Sequence, residues 1–349
     1  MEEKYMLRAL QLAEKGRGHV SPNPMVGCVI VHNDQIIGEG WHQQYGSWHA
    51  EVNAVNDVKD PSKLSEAVVY VTLEPCSHFG KTPPCADLLV KHHVKKVIIC
   101  NDDPFPLVAG KGIEKLQQAG IEVEKGLLAE QGRRLNERFF TYVEQKRPYI
   151  ILKWAQTADA YIAGEGYQPL KISNELSHKV AHKWRSEEDA IMVGTNTALY
   201  DNPKLNVRQW EADKQPVRIV IDRKLHLPAS LIPLHLLDNT QDTLIINELV
   251  NKTNGRNTYL AVDFGADFIP NLLEVLYQRK IQSVYVEGGT TLLQSFIEAN
   301  LFDEIRVFRS PQLLYKGIAA PVLPANLRVT DKQNLLGDEL TIYKSALYL

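Results

Sequence analysis

Two short segments, His49-Ala50-Glu51 and Pro75-Cys76 with the later Cys85, constrain this chain more than any other part of it. One imidazole and two thiols form a soft N/S donor set, which suits zinc. Three protein ligands leave the fourth tetrahedral position for water, the arrangement of a catalytic rather than a closed structural site. Zinc lowers the pKa of such a water to about 7, so a nucleophile is available at neutral pH. Glu51, two residues past the imidazole, is placed to take that proton and hand it to a leaving amine. The fold must therefore bring residues 49, 76 and 85 to one point.

His-x-Glu followed by Pro-Cys and a second Cys is the pattern of zinc nucleobase deaminases, which usually put two residues between the cysteines. Here eight intervene, and they include His78 and Lys81. An imidazole and an ammonium beside the metal suit a small substrate that is anionic or rich in hydrogen-bonding groups. The full run Pro75-Cys76-Ser77-His78-Phe79-Gly80-Lys81-Thr82-Pro83-Pro84-Cys85 resembles the deaminase domain of the bifunctional riboflavin-biosynthesis deaminase–reductases, the RibD family. The likeness extends to Pro22-Asn23-Pro24-Met25-Val26-Gly27, to Asp103-Pro104 and to Val108-Ala109-Gly110, and it covers nearly the whole chain. It implies a cytidine-deaminase-like three-layer domain in which His49, Cys76 and Cys85 hold zinc and Glu51 is catalytic. It also implies that Asn23, His42, His78 and Lys81 hold the substrate. By itself, Asn23 between two prolines reads as a turn residue.

The chain has 349 residues, enough for two domains with cores of their own. Its net charge of −3 offers no basic footprint for nucleic acid. Four cysteines in such a length are no disulfide framework, and Cys28 and Cys100 sit in apolar runs as buried thiols, which fits a reducing cytoplasm. Met1-Glu2-Glu3 opens an acidic amphipathic segment rather than a signal peptide, and no apolar run approaches the ~18 residues of a membrane span.

Residues 2–17 have helical spacing, closed by Gly16 and Gly18. Residues 26–31 and 35–40 read as a hairpin across Asn33-Asp34. A helix over 49–58 puts His49 and Glu51 in its first turn, where free N–H groups face the metal. Strands at 68–73, 96–100 and 121–124 alternate with helices starting near Cys85 and over 111–119, which predicts a sheet with helices on both faces. Residues 127–146 read as one charged helix ended by Arg147-Pro148. The domain boundary is expected there, with a zinc-dependent pyrimidine deaminase over 1–146 and an NADPH-dependent reductase over 147–349.

Beyond it, strands at 149–155, 189–193, 217–221, 243–247 and 283–287 and helices at 174–185, 270–279 and 290–299 predict a second, largely parallel α/β domain. Gly288-Gly289 precedes the last of these helices as a simple tight turn or as a phosphate cradle. No Gly-x-Gly-x-x-Gly follows the first strand, against a standard Rossmann domain. The resemblance continues through Leu152-Lys153, Asp159, Arg185, Val193-Gly194-Thr195, Asp201-Asn202-Pro203, Leu205, Arg208 and Val286-Glu287-Gly288-Gly289. It implies a dihydrofolate-reductase-like domain that uses NADPH. In it Arg185, Leu205, Arg208 and Glu287 contact the ribosylaminouracil phosphate, the two arginines suiting its phosphate group, and Lys153 and Glu287 flank the reacting ribose. Ala155, Lys171, Thr197, Asp201, Arg223 and the run Gly289, Thr290, Thr291, Leu292, Leu293, Gln294 and Ser295 line the cofactor. Arg223 is expected at the carboxyl end of a strand, with a fork that suits the 2′-phosphate of NADPH, or else as the cap of a surface loop.

Three positions depart from the family pattern. Ala160 follows Asp159 where glycine is usual, Pro169 stands for a serine that touches substrate, and Lys171 stands for a tryptophan that packs on the cofactor. The resemblance implies deamination of 2,5-diamino-6-ribosylamino-4(3H)-pyrimidinone 5′-phosphate, then reduction of the product's ribose to ribitol. It also implies a homo-oligomer with small pyrimidine nucleotides as its ligands. Two rivals fit the same motifs: an RNA-acting zinc deaminase, and a deaminase whose second domain is a non-catalytic scaffold. RNA binding and cofactor binding discriminate them.

Overall fold

A computed structural model describes residues 2–77, 83–105, 109–168 and 170–345. The expectations for His78, Lys81 and Pro169 lie outside the described residues. The chain divides into two compact units, Met1–Lys146 and Arg147–Leu349.

The first unit runs α1 (Glu3–Glu14), β1 (Gly27–His32), β2 (Gln35–Trp41), α2 (Ala50–Asp57), β3 (Val68–Leu73), α3 (Cys85–Lys91), β4 (Lys96–Asn101), α4 (Lys111–Gln118), β5 (Glu122–Lys125), α5 (Ala129–Leu135) and α6 (Glu137–Gln145). Its sheet has the order β2-β1-β3-β4-β5. β1 is antiparallel to β2 and β3, whereas β3, β4 and β5 are parallel. Alternation along the strands makes three layers. Val29, Val31, Tyr70 and Ile98 pack on α1 through Tyr5, Met6, Ala9 and Leu10. Cys28, Ile30, Val69, Val71, Val97 and Ile99 face the other way, onto Ala50 and Ala54 of α2, Leu89 of α3 and Leu116 of α4.

The single helix expected over 127–146 is two helices broken at Asn136. The buried Asn136 amide accepts from the Met25 N–H and donates to the Met25 carbonyl, both at 2.8 Å. A reciprocal pair with backbone 111 residues away outweighs one more turn of continuous helix, whose competing residue is a poor helix former.

The second unit runs β6 (Tyr149–Gln156), β7 (Tyr161–Ala163), α7 (Glu175–Glu187), β8 (Ala190–Gly194), α8 (Thr195–Asp201), β9 (Val217–Ile221), β10 (Thr243–Asn247), β11 (Lys252–Asn254), β12 (Asn257–Ala261), α9 (Phe268–Gln278), β13 (Ser283–Glu287), α10 (Thr290–Glu298), β14 (Glu304–Arg309), β15 (Ile318–Ala319), β16 (Leu327–Leu335) and β17 (Asp338–Ser345). Ten strands lie in the order β11-β12-β10-β9-β8-β13-β6-β14-β17-β16. The strands from β12 to β14 are parallel, and antiparallel strands close both edges. Each face carries its own core, one around Ile150, Leu152, Leu272 and Phe296, the other around Ile151, Trp184, Tyr285 and Phe308. Strands β7, β11 and β12, the strands from 304 onward and helix α8 go beyond the elements expected from sequence.

Where the unit begins, a buried ion pair pins β6. Asp303 accepts from Arg147 twice at 2.7 Å and from the Ile150 N–H at 2.7 Å. Asp303→Ala removes the carboxylate paired with a buried guanidinium, so stability should fall by about 3–5 kcal/mol. The expected readout is a lower urea midpoint, with Asp303→Asn losing less.

Candidate active sites

In the first unit, three sequence segments meet where β3 ends. His49 is the N-cap of α2, and Cys85 opens α3. His49 Nδ1 lies 3.6 Å from Cys76 Sγ and 3.3 Å from Cys85 Sγ, and the ligand atoms all fall within 4.8 Å of one another. Zn–N and Zn–S bonds at a tetrahedral angle put N and S about 3.5 Å apart, so this donor set fits zinc. Cys76 is pulled down to about 4 by a hydrogen bond from Cys85, helped by His49, so it is the ready thiolate. The Cys85 backbone N–H donates to the same sulfur at 3.3 Å.

Glu51 lies in the first turn of α2 and is only 3% exposed. Burial pushes its carboxyl up, and the Cys76 charge adds to that. A carboxyl raised in this way holds and releases a proton more readily near neutrality. His42, also buried, donates from Nδ1 to the Trp48 carbonyl at 3.0 Å. Its Nε2 is then a lone pair, and the Asn23 amide donates to it at 3.1 Å. The His42 and His49 rings meet edge to face, 5.5 Å apart. Asn23, His42, His49, Glu51, Cys76 and Cys85 thus share one locality.

Sequence reasoning missed Glu74. This buried carboxylate accepts from the N–H groups of Gly110 (3.0 Å), Gly112 (3.0 Å) and Ile113 (3.3 Å). It ties the strand end that carries Cys76 to the start of α4. A side chain at Gly112 would meet the Pro75 carbonyl at 1.9 Å, so only glycine permits the approach. The available signal was a carboxylate two residues before a ligand cysteine.

In the second unit a cleft of about 1030 Å³ opens beyond the carboxyl ends of the parallel strands. Lys153, Ala155, Lys171, Arg185, Thr197, Asp201, Leu205 and Glu287 line it. So do Gly289, Thr290, Thr291, Leu292 and Ser295 at the start of α10. Gly288 and Gly289 both have φ +77, and a side chain at either would meet Thr197. Lys153 on β6 and Glu287 on β13 are register partners across two parallel strands. Arg185, from α7, donates to Glu287 through Nε at 3.1 Å and also through Nη2. Burial works to raise the Glu287 carboxyl, but Arg185 and Lys153 outweigh it and hold it below the usual range. Burial pulls Lys153 down against Glu287.

The other expected residues lie elsewhere. Leu293 is fully buried in the core, and Gln294 accepts from the Val322 N–H at 3.0 Å. Arg208 is exposed and donates to the Asn206 side chain at 3.1 Å. Its charge still reaches His178 and His182. Arg223 pairs with Glu248 and lies over the Phe264 ring. Residues the sequence reading passed over also line the cleft, including Tyr167, His178 and Tyr200.

The fold and the two sites define a class: a zinc-binding deaminase unit followed by an α/β unit with a large cationic cleft. Residues 1–101 match the cytidine and deoxycytidylate deaminase zinc-binding region, and residues 148–330 match the RibD C-terminal domain. The riboflavin biosynthesis protein RibD of Aquifex aeolicus is 41% identical, covering 98% of each chain. That of Escherichia coli is 36% identical over 90% of this chain and 88% of its own. A crystal structure of a diaminohydroxyphosphoribosylaminopyrimidine deaminase/5-amino-6-(5-phosphoribosylamino)uracil reductase from Thermotoga maritima superimposes with a TM-score of 0.89 at 35% identity, over 99% of this chain and 98% of that one. Acinetobacter baumannii RibD gives 0.86 at 32% identity, over 98% of both. The chain belongs to the RibD family. Among the described residues, no helix is long and apolar enough to cross a membrane.

The donor geometry leads to an expected one zinc per chain by elemental analysis of the purified protein. Cys76→Ser should lose most of it, because a hydroxyl replaces the low-pKa thiolate.

Proposed function

We propose that residues 1–146 carry the hydrolytic deamination of 2,5-diamino-6-ribosylamino-4(3H)-pyrimidinone 5′-phosphate and residues 147–349 the NADPH-dependent reduction of the resulting ribosylaminouracil phosphate. The chain is a bifunctional enzyme of riboflavin biosynthesis with zinc and NADPH as its cofactors. The observation that carries the first half is the convergence of His49, Cys76 and Cys85 on a point beside the buried Glu51.

When bound there, zinc supplies the Lewis acidity that makes water a nucleophile at neutral pH. Glu51 takes the proton from the attacking water and gives it to the departing amine, and its raised pKa suits both transfers. Asn23 and His42, already joined by a hydrogen bond, orient the pyrimidine, with His78 and Lys81 as further substrate contacts.

In the second unit, NADPH when bound supplies a hydride, with C1′ of the open imine form of the ribose as its acceptor. The C=N electron pair moves to nitrogen as C1′ accepts hydride, and Lys153 is the group to protonate that nitrogen, because burial lowers its affinity for its proton. Glu287 holds Lys153 and Arg185 in place by charge. Arg185, Arg208 and Leu205 receive the phosphate end, and the N–H groups at the start of α10 receive the cofactor's phosphates. Arg223 is the proposed reader of the 2′-phosphate, for which it would share or leave Glu248.

Small pyrimidine nucleotides are the substrates, and we favour them over nucleic acid because the net charge is −3. The family suggests a homo-oligomer. Thiols that must stay reduced to bind metal favour the cytoplasm.

The test is incubation with the diaminopyrimidine nucleotide, with and without NADPH, followed by mass spectrometry. Without cofactor the deaminated ribosyl compound should accumulate; with it, the ribityl compound. Glu51→Gln should retain zinc and lose at least about 100-fold in deamination; a fully active variant would remove Glu51 from the mechanism. Lys153→Ala should stop NADPH oxidation while the deaminated intermediate builds up. Loss of deamination in folded Lys153→Ala protein would show that the roles are assigned to the wrong units.

A further inference from the structure

The reductase cleft has an aromatic feature that neither motif nor catalytic chemistry uses. Tyr167 and Tyr200 are stacked, with ring centroids 4.9 Å apart and planes 12° from parallel. Both line the cleft, yet they are 38% and 52% exposed. Trp154, on the same wall, is buried at 2% exposure, and Phe268 is stacked on Phe264. Among the described residues, Tyr167 and Tyr200 are the most exposed large aromatic rings of the cleft lining.

Their backbone is shaped for this. Gly166 and Tyr167 both take left-handed φ, +68 and +64. A bulky residue in that region is an outlier, and such strain gathers at ligand clamps. The segment Glu165–Tyr167 presents one ring, and the last turn of α8 (Thr195–Asp201) presents the other. Tyr200 immediately precedes Asp201, which also lines the cleft. Lys171, which also lines the cleft, adds charge but no ring.

Resting on the reading of this unit as a reductase, we propose that the Tyr167–Tyr200 pair is an aromatic platform that stacks on a planar heteroaromatic ring of a reactant. Two reactants carry such rings: NADPH its nicotinamide and its adenine, the nucleotide its pyrimidinedione. A third ring does not fit between the tyrosines, because two contact layers need about 7 Å. The ligand packs on an outer face, with offset stacking favoured over a direct sandwich. The platform thus fixes a ring plane in the cleft that Lys153 and Glu287 also line, and orienting a bound reactant is what hydride transfer requires.

The experiment uses the full-length zinc-loaded enzyme and the variants Tyr167→Ala, Tyr200→Ala, Tyr167→Phe and Tyr200→Phe. KM is measured for NADPH at saturating ribosylaminouracil phosphate and for that nucleotide at saturating NADPH. Thermal unfolding is recorded alongside. Each alanine variant should raise one of the two KM values by roughly three- to tenfold, more than it lowers kcat. Each phenylalanine variant should stay within about twofold of wild type, since the ring and not the hydroxyl does the stacking. The KM that moves identifies the reactant whose ring is stacked: NADPH or the nucleotide. The proposal fails if both KM values are unchanged in both alanine variants. It also fails if both rise together with a lower melting temperature, which marks the pair as a scaffold for its loops. If the wild type oxidises no NADPH with the nucleotide present, the reductase reading itself falls and the platform with it.

Discussion

The first unit depends on one buried carboxylate. Glu74 lies at the end of β3 (Val68–Leu73), where the chain must leave the sheet and still present Cys76 to His49. A loop leaving a strand has unpaired backbone groups, and a ligand cysteine on a loose loop would lose most of its advantage. Glu74 accepts from three N–H groups at the start of α4 (Lys111–Gln118), so the strand end and the helix start become one rigid piece. Charge-assisted bonds of this kind are about twice as strong as neutral ones. Gly112 then allows the Pro75 carbonyl to lie against the helix, and Cys76 follows one residue later. From the other side, α2 (Ala50–Asp57) presents His49 as its N-cap and Glu51 in its first turn. The proposed metal ligand and the proposed proton carrier thus share one helix start, and neither can shift without the other.

The second unit solves a different problem, the holding of several cations in one cleft. Burial depresses His178 first, and Lys153, Lys171, Arg185 and Arg208 add to it. His182 is driven to about 4, by burial first and then by Arg185 and Arg208. Cations gathered this closely repel one another, and Glu287 is the buried anion that offsets them. It sits at the end of β13 (Ser283–Glu287), in register with Lys153 on β6 (Tyr149–Gln156), so the sheet itself sets the spacing of the charges. Both imidazoles are kept neutral, which leaves the fixed positive charge on lysine and arginine for an anionic substrate.

Where buried apolar runs carried the signal, the sequence was read to the residue: 68–73, 217–221, 243–247 and 283–287 are strands with those bounds. Such strands are covered on both faces, and continuous Val, Ile and Leu announce them. The convergence of His49, Cys76 and Cys85 was equally legible, because ligand chemistry restricts both residue type and order. The strand Leu327–Leu335 left little trace, being exposed at most positions and lying at a sheet edge. Helix Thr195–Asp201 buries only Ala198 and so has no apolar period to read. The break at Asn136 is a tertiary event: its cause is Met25, far away in sequence. Glu74 was invisible for the same reason, since its partners lie 36 to 39 residues downstream. The roles of the cleft residues came from resemblance alone, and the geometry divides them into residues that line the cleft and residues, such as Arg223, that are held elsewhere.

Departures from the family pattern show what the fold tolerates. Ala160 takes φ +63, the left-handed conformation that a glycine would adopt without strain. The cost of a side chain there is about 1–2 kcal/mol. Asp159 offsets it, accepting from the Thr157 hydroxyl at 2.6 Å and from the N–H groups of Leu314 and Tyr315 at 3.1 and 2.7 Å. The turn therefore forms with alanine in the position of glycine, because its geometry is set by bonds to a distant segment and not by the freedom of one residue. Lys171 is a departure of another kind. It keeps its place on the cleft wall and changes only what the wall offers, charge where a ring is usual. A backbone departure must be compensated by hydrogen bonds or the fold suffers. A side-chain departure on a cleft rim leaves the framework intact and alters which part of a ligand is held, and by what force.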